Sequence, residues 1–214
     1  MKEKSLSVLF VTGIFYPDVG GPAIHVCRFA EHLTKKGHKV HIITYTKNTK
    51  KDTFSFPVSR ISFGPKLFRW SVFFITVLLY TPFYKIIYVH DLTAAGVPGV
   101  FAAKIFRKKV LLRNAGDQLW ERAAESGKTK LSFLEYYKAK TYKKDYPIAA
   151  RLVCFVLQNL NIYITASNLL KNIHTKHFDI LDEKVIVLPN PMQQKKHKSR
   201  EIHEPFPEIG RAHV

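Results

Sequence analysis

Four stretches of the chain carry residue types that could do chemistry. Asp18-Val19-Gly20-Gly21 sets two glycines directly before a segment that turns helical at Pro22. Paired glycines let backbone approach a ligand, and the free N–H groups of a first helical turn favour a phosphate. His90-Asp91 follows one apolar run, and Asn114-Ala115-Gly116-Asp117-Gln118-Leu119-Trp120-Glu121-Arg122 follows another. Ser167 follows a third, placed to donate to a ligand, and His25 stands one turn into the helix that Pro22 opens. Each has a plainer counterpart. The glycines suit a tight turn, His90 a hydrogen-bonded structural histidine, Glu121-Arg122 a helix-surface pair, His25 an exposed helix position and Ser167 a helix cap. Several polar groups on one rim say more than any one of them, so the question is whether the fold gathers them.

The elements needed for that are legible. Leu6 to Thr12 is an apolar run of the kind expected in a strand buried on both faces. From Pro22 to Lys36, Ala23, Val26, Cys27, Ala30 and Leu33 fall at helical spacing, and Gly37 suits the left-handed residue that closes a helix. Further strands are expected at 40–45, 58–63, 86–89, 110–113, 162–165 and 185–188, and helices at 67–83, 93–106 and 168–177. A long helical region reaches Leu160, in two pieces broken near Pro147. Strands separated by helix-length segments imply an α/β fold, a Rossmann-like parallel sheet with helices on both faces. In such a sheet ligands collect at the carboxyl ends of the strands, where the four stretches lie.

Composition narrows the classes. The 214 residues are 46% hydrophobic and 13% aromatic, too apolar for a disordered chain. Two distant cysteines, Cys27 and Cys154, exclude a disulfide scaffold and make a reducing compartment the default. Trp70–Tyr84 is short of the roughly 20 residues a spanning helix needs and contains Pro82. Leu152–Leu170 is broken by Gln158, Asn159 and Asn161, so neither stretch is expected to cross a membrane. No secretory signal is read at the start, and the expected location is cytoplasmic. Scattered histidines and the absence of a cysteine pair predict no metal, and the glycines form neither a Walker loop nor a dinucleotide fingerprint. Thirty-four Lys and Arg against 16 Asp and Glu give a net charge of +18, which favours an anionic partner. A basic module for nucleic acid or another polyanion is the alternative class, although the lysines are dispersed and no nucleic-acid motif appears, so no nucleic acid is expected.

The motifs in their order resemble a known family. Val8-Leu9-Phe10-Val11-Thr12, Tyr16-Pro17-Asp18-Val19-Gly20-Gly21, His25-Val26 and Ala30-Glu31-His32-Leu33 through Gly37-His38-Lys39-Val40 resemble the amino-terminal domain of family 4 glycosyltransferases. Gly116-Asp117-Gln118-Leu119-Trp120-Glu121-Arg122-Ala123 resembles the Gly-Asp-x-x-Trp-Glu-Arg-Ala motif of a bacterial branch. Ile164 to Lys171 and Val185 to Asn190 continue the match, which covers about residues 6 to 192. The resemblance implies a GT-B architecture of two Rossmann-like domains facing across a cleft. It implies transfer of a sugar from a nucleotide-diphosphate sugar to a glycan or lipid-linked acceptor, with retention and without a metal or other cofactor.

On this reading residues 1–192 are the acceptor-side domain, Gly20 and Gly21 approach the donor diphosphate, and Asp117 and His90 are the candidate catalytic groups. His25, Asp91, Asn114, Gly116, Trp120, Glu121, Arg122, Ser167 and Asn190 are expected around the acceptor. Two departures stand out. Many family members place a histidine after the fifth strand, where this chain has Asn114-Ala115-Gly116-Asp117, leaving Asp117 for an acceptor-orienting or basic role. Only Pro189 and Asn190 remain of the usual Pro-Asn-Gly-Val-Asp. Residues 193–214 read as a linker or tail, and Ile209 to Val214 resembles a translated sequencing adapter. The expectation is a gene cut there and a fragment inactive without its second domain. Finally, Lys128, Lys130, Lys138, Lys140, Lys143 and Lys144 accompany Leu131, Phe133, Leu134, Tyr136, Tyr137 and Tyr142. That pattern predicts either a solvated lysine face or a peripheral contact with anionic membrane.

Overall fold

The first apolar run forms β1 (Ser7–Thr12), whose Leu9, Phe10 and Val11 are fully buried. The computed structural model describes residues 5–46 and 53–190. Six more strands join β1: β2 (Lys39–Thr44), β3 (Val58–Arg60), β4 (Ile86–His90), β5 (Lys109–Asn114), β6 (Ile162–Thr165) and β7 (Val185–Val187). Their order is β3-β2-β1-β4-β5-β6-β7, and each adjacent pair is parallel. The helices between them are α1 (Gly21–Lys35), α2 (Lys66–Tyr80), α3 (Gly96–Ile105), α4 (Gln118–Glu125), α5 (Phe133–Lys138), α6 (Thr141–Asp145), α7 (Pro147–Asn159) and α8 (Asn168–Phe178). This is the α/β, Rossmann-like parallel sheet that the alternating pattern predicts.

Alternation along each strand divides the interior in two. Val8 and Phe10 face α1 and pack with Val26, Ala30, Val40, Ile42 and Tyr88. Leu9 and Val11 face the opposite way, into a larger core with Ile43, Phe73, Ile87, Val89, Val100 and Val156. From β1 the chain builds outward to β3, then returns to place β4 on the other side of β1. That reversal opens a crevice at the carboxyl ends of β1 and β4. Register levels the rim, because Thr12 pairs with His90 and His90 with Arg113.

The stretch between β5 and β6 departs from the expected pair of helices. It breaks before Pro147 as its sequence predicts, but also at Gly127 (φ 68°) and Lys140 (φ 55°), both left-handed. Ser132 and Glu135 form a reciprocal capping box that starts α5 afresh. The extra breaks rotate Tyr136, Tyr137 and Tyr142 into the core, where each is at most 1% exposed. The lysine-and-aromatic surface expected here therefore loses its tyrosines, and only Leu131 and Leu134 remain exposed among its apolar residues beside the lysines. Among the described residues, no helix is long and apolar enough to cross a membrane. The lysine-rich loop at 47–51, apart from its flanks, and the tail at 193–214 with its adapter-like end lie outside the described residues.

Candidate functional site

A cleft of about 640 Å³ opens at the carboxyl rim of β1, β4 and β5. Helix α1 enters it first. Gly20 is its N-cap residue and no side chain caps the first turn, while Gly21 borders the cleft. Neither glycine has a left-handed φ. A Cβ on Gly21 would meet nothing within 4 Å among the described residues, so none of them requires glycine there. Bare amides and an unfilled approach are what a phosphate oxygen needs.

His25, one turn into α1, lies with its Nε2 3.0 Å from the Tyr88 hydroxyl and its ring 5.8 Å from that of His90. Burial and then the nearby Arg113 charge lower His25 to about 4. His90 ends β4, is 6% exposed and borders the cleft. Burial, His25 and Arg113 lower it to about 3. Both imidazoles are therefore neutral at pH 7. Asp91 adopts φ 112° at the strand end and accepts N–H bonds from Thr93 at 2.8 Å and Ala95 at 3.1 Å, which shape the turn into α3. Burial pushes its carboxyl up to about 6 while those backbone bonds pull the other way.

Sequence reasoning missed Arg113. It follows the apolar Val110-Leu111-Leu112 near the end of β5, borders the cleft, and is 3% exposed. Its Nη2 donates to the Leu188 carbonyl at 3.2 Å and to Asn190 Oδ1 at 3.0 Å. The available signal was a charge directly after the apolar Val110-Leu111-Leu112, near the strand's carboxyl end. Asn114 and Gly116 also border the cleft, with Asn114 Nδ2 donating to the Gly116 carbonyl.

The Gly-Asp-x-x-Trp-Glu-Arg motif divides. Asp117 is the expected basic group, but its carboxylate is turned into the interior at 4% exposure and does not border the cleft. It is the N-cap of α4, accepting the Trp120 N–H at 2.8 Å, and it also accepts the Tyr137 hydroxyl at 2.7 Å. His174 Nε2 lies 3.1 Å from the same carboxylate, and His174 Nδ1 lies 2.7 Å from the Tyr163 hydroxyl. A carboxylate only accepts, so Nε2 donates to it. Its three bonds make Asp117 a structural hub linking α4, α5 and α8.

Glu121 reaches back to the Asp117 N–H at 3.0 Å and borders the cleft. A Cβ on Gly116 would crowd that carboxylate, so a side chain there would push Glu121 off the Asp117 N–H. Trp120 and Arg122, expected at the acceptor, lie away from the cleft. Trp120 Nε1 donates to the Leu131 carbonyl, and Arg122 sits 4.9 Å over the Tyr146 ring. Ser167 is the N-cap of α8, accepting the Leu170 N–H, and does not border the cleft. Asn190 does border it. The rim thus gathers Gly21, His25, His90, Asp91, Asn114, Gly116, Glu121 and Asn190.

The profile described as Glycosyltransferase Family 4 matches residues 19–194. The chain belongs to glycosyltransferase family 4. No curated protein matches it in sequence. Solved structures share its fold at low identity. HepE of Anabaena, in complex with UDP and glucose, is 15% identical with a TM-score of 0.58, covering 87% of this chain and 45% of its own. The catalytic domain of starch synthase IV from Arabidopsis thaliana, bound to ADP and acarbose, is 15% identical with a TM-score of 0.54, covering 87% and 52%. UDP-GlcNAc 2-epimerase from Methanocaldococcus jannaschii is 14% identical with a TM-score of 0.54, covering 85% and 45%. This glycosyltransferase chain spans about half the length of these structures. The fold serves transferases and epimerases alike, so function must be argued from the family and the rim.

Proposed function

We propose that the chain is the acceptor-side wall of a retaining glycosyltransferase that moves a sugar from a nucleotide-diphosphate sugar to a glycan or lipid-linked acceptor. The observation that carries this reading is the open rim where the uncapped start of α1, with a glycine that none of the described residues requires, meets His90 and Asn114. Amide dipoles fixed in a cleft stabilise the charge of a leaving diphosphate without reorganising. The family match favours a transferase over the epimerases that share the fold.

His90 is retained as the candidate catalytic group, bordering the reacting sugar as a neutral imidazole. Asp117 acts from beneath, by holding the start of α4 and with it Gly116 and Glu121. A facing second domain completes the cleft and grips the nucleotide, so the 214-residue chain alone transfers no sugar and holds nucleotides weakly. Amide spectra of the ¹⁵N-labelled chain test this. UDP or ADP at millimolar concentration is expected to move Gly21, Ala23 and Ile24 without any donor turnover. Shifts confined to the lysine-rich helices, or sugar transfer by this chain alone, would contradict it.

Location at the cytoplasmic face of a membrane belongs to the same proposal, with a relocated contact. The exposed apolar residues cluster on α2 and the end of α3 rather than on α5 and α6. Leu67, Ile75 and Leu79 stand out from α2 and Phe83 from the turn after it, with Phe101 and Ile105 on α3. Phe74 packs against Phe101 with ring centroids 5.3 Å apart to join the two helices, and Lys104 and Arg107 are exposed alongside. An apolar face edged with cations suits an anionic bilayer surface.

A further inference from the structure

Arg113 presents a problem that the donor site does not solve. A guanidinium at 3% exposure is largely withdrawn from bulk solvent, and an unpaired buried charge is costly. Among the described residues it forms no ion pair; its only partners are the Leu188 carbonyl and Asn190 Oδ1, both neutral. The carboxylates that border the cleft are committed elsewhere, Asp91 to the N–H groups of Thr93 and Ala95, and Glu121 to that of Asp117. Beside Arg113 stands His90, more than nine-tenths buried, facing the cleft and without a hydrogen-bond partner among the described residues. His25 adds a second imidazole, and Arg28 borders the same space.

We infer that Arg113, His90 and His25 form a phosphate subsite of the cleft, separate from the start of α1, and that it takes a phosphate-bearing acceptor. A phosphate offers three oxygens to a fixed cation and two imidazoles, each able to donate once an anion arrives. Sheet geometry sets Arg113 apart from the donor's diphosphate: α1 follows β1, whereas Arg113 lies near the end of β5, two strands along, or about 10 Å at the usual spacing. His90 and His25 lie between, so the phosphate is centred on Arg113 and reached by the two imidazoles from the α1 side. Asn190 acts as a positioning residue, holding the guanidinium from the β7 side. The inference rests on the proposed sugar transfer and gives its acceptor a chemical class.

Histidine-ring NMR of the full 214-residue chain tests it, with inorganic phosphate as the probe and the exposed His32 as an internal control. Phosphate is expected to raise the titration midpoints of His25 and His90, which burial and Arg113 hold down, and to leave His32 unmoved. Asn190→Asp puts a carboxylate on Arg113 from an exposed position, so it avoids disturbing the core; it is expected to weaken the phosphate response about tenfold, the scale of one charge-assisted bond. Arg113→Gln should abolish it. A response in which His32 moves as much as His90, or one that survives Asn190→Asp unchanged, overturns the subsite. UDP added to the phosphate-loaded chain separates the two sources. Shifts at Gly21 with His90 still loaded support an acceptor phosphate, whereas loss of phosphate from His90 assigns Arg113 to the donor and overturns the inference. Failure of UDP to move Gly21 counts against sugar transfer while leaving the phosphate response intact, so the two failures are distinct.

Discussion

Asp117 holds three bonds with one carboxylate, and its removal should be felt in stability before anything else. Asp117→Ala leaves the Trp120 N–H uncapped and strands the Tyr137 hydroxyl and His174 in the interior. The expected loss is about 3 kcal/mol, read from urea unfolding. A variant as stable as the parent would instead leave Asp117 free for chemistry. The sequence presents Asp117 as a strand-end carboxylate, and whether such a group turns outward or inward depends on partners 20 and 57 residues away. Arg113 escaped notice for the opposite reason, because a residue ending Val110-Leu111-Leu112 reads as part of the strand.

Histidines set the acid response. His25, His41 and His90 are lowered from 6.5 to about 4, 4 and 3. The folded state therefore binds fewer protons than the unfolded one below pH 6.5, and stability is expected to fall as pH drops from there toward 3. Around these rings the charged groups are Arg113 for His25 and His90, and Lys39 for His41. Asp91, raised to about 6, works the other way as pH falls through 6 and offsets part of the loss. Urea midpoints at pH 7.5 and pH 5 check the sign, with the lower midpoint expected at pH 5.

At the level of elements, the strands and α1 were legible because their apolar periodicity is backed by Pro22 and Gly37 at the helix ends. The region between β5 and β6 was not. Lys140 in a left-handed conformation has no sequence signal, and without that break the tyrosines at 136, 137 and 142 read as one side of a surface helix. Gly21 offers the sharpest test of an element built for a ligand. Its backbone tolerates a side chain and its Cβ would point into open space, so Gly21→Ala should hold or raise stability by a few tenths of a kcal/mol. The same change should obstruct a phosphate oxygen and diminish the UDP-induced shifts of the neighbouring amides. A stability loss above 1 kcal/mol would mean that the glycine serves the fold.

The whole molecule combines a +18 charge with an apolar face on α2 and α3. Co-sedimentation with vesicles containing phosphatidylglycerol is expected to exceed that with phosphatidylcholine alone and to fall with salt. Leu79→Glu with Phe83→Glu should remove most of the binding, whereas Leu134→Glu on α5 should not. Equal pelleting with both vesicle types would discard the electrostatic contact.

The account stands or falls on what a nucleotide sugar becomes in the cleft. NMR of the chain joined to a facing nucleotide-binding domain, with ¹³C-labelled UDP-, ADP- and GDP-sugars and candidate acceptors, follows donor, product and anomeric configuration together. Release of the nucleoside diphosphate with a new glycoside of the donor's own configuration is the expected result. A donor returned as its 2-epimer, or no donor consumed at all, would contradict it.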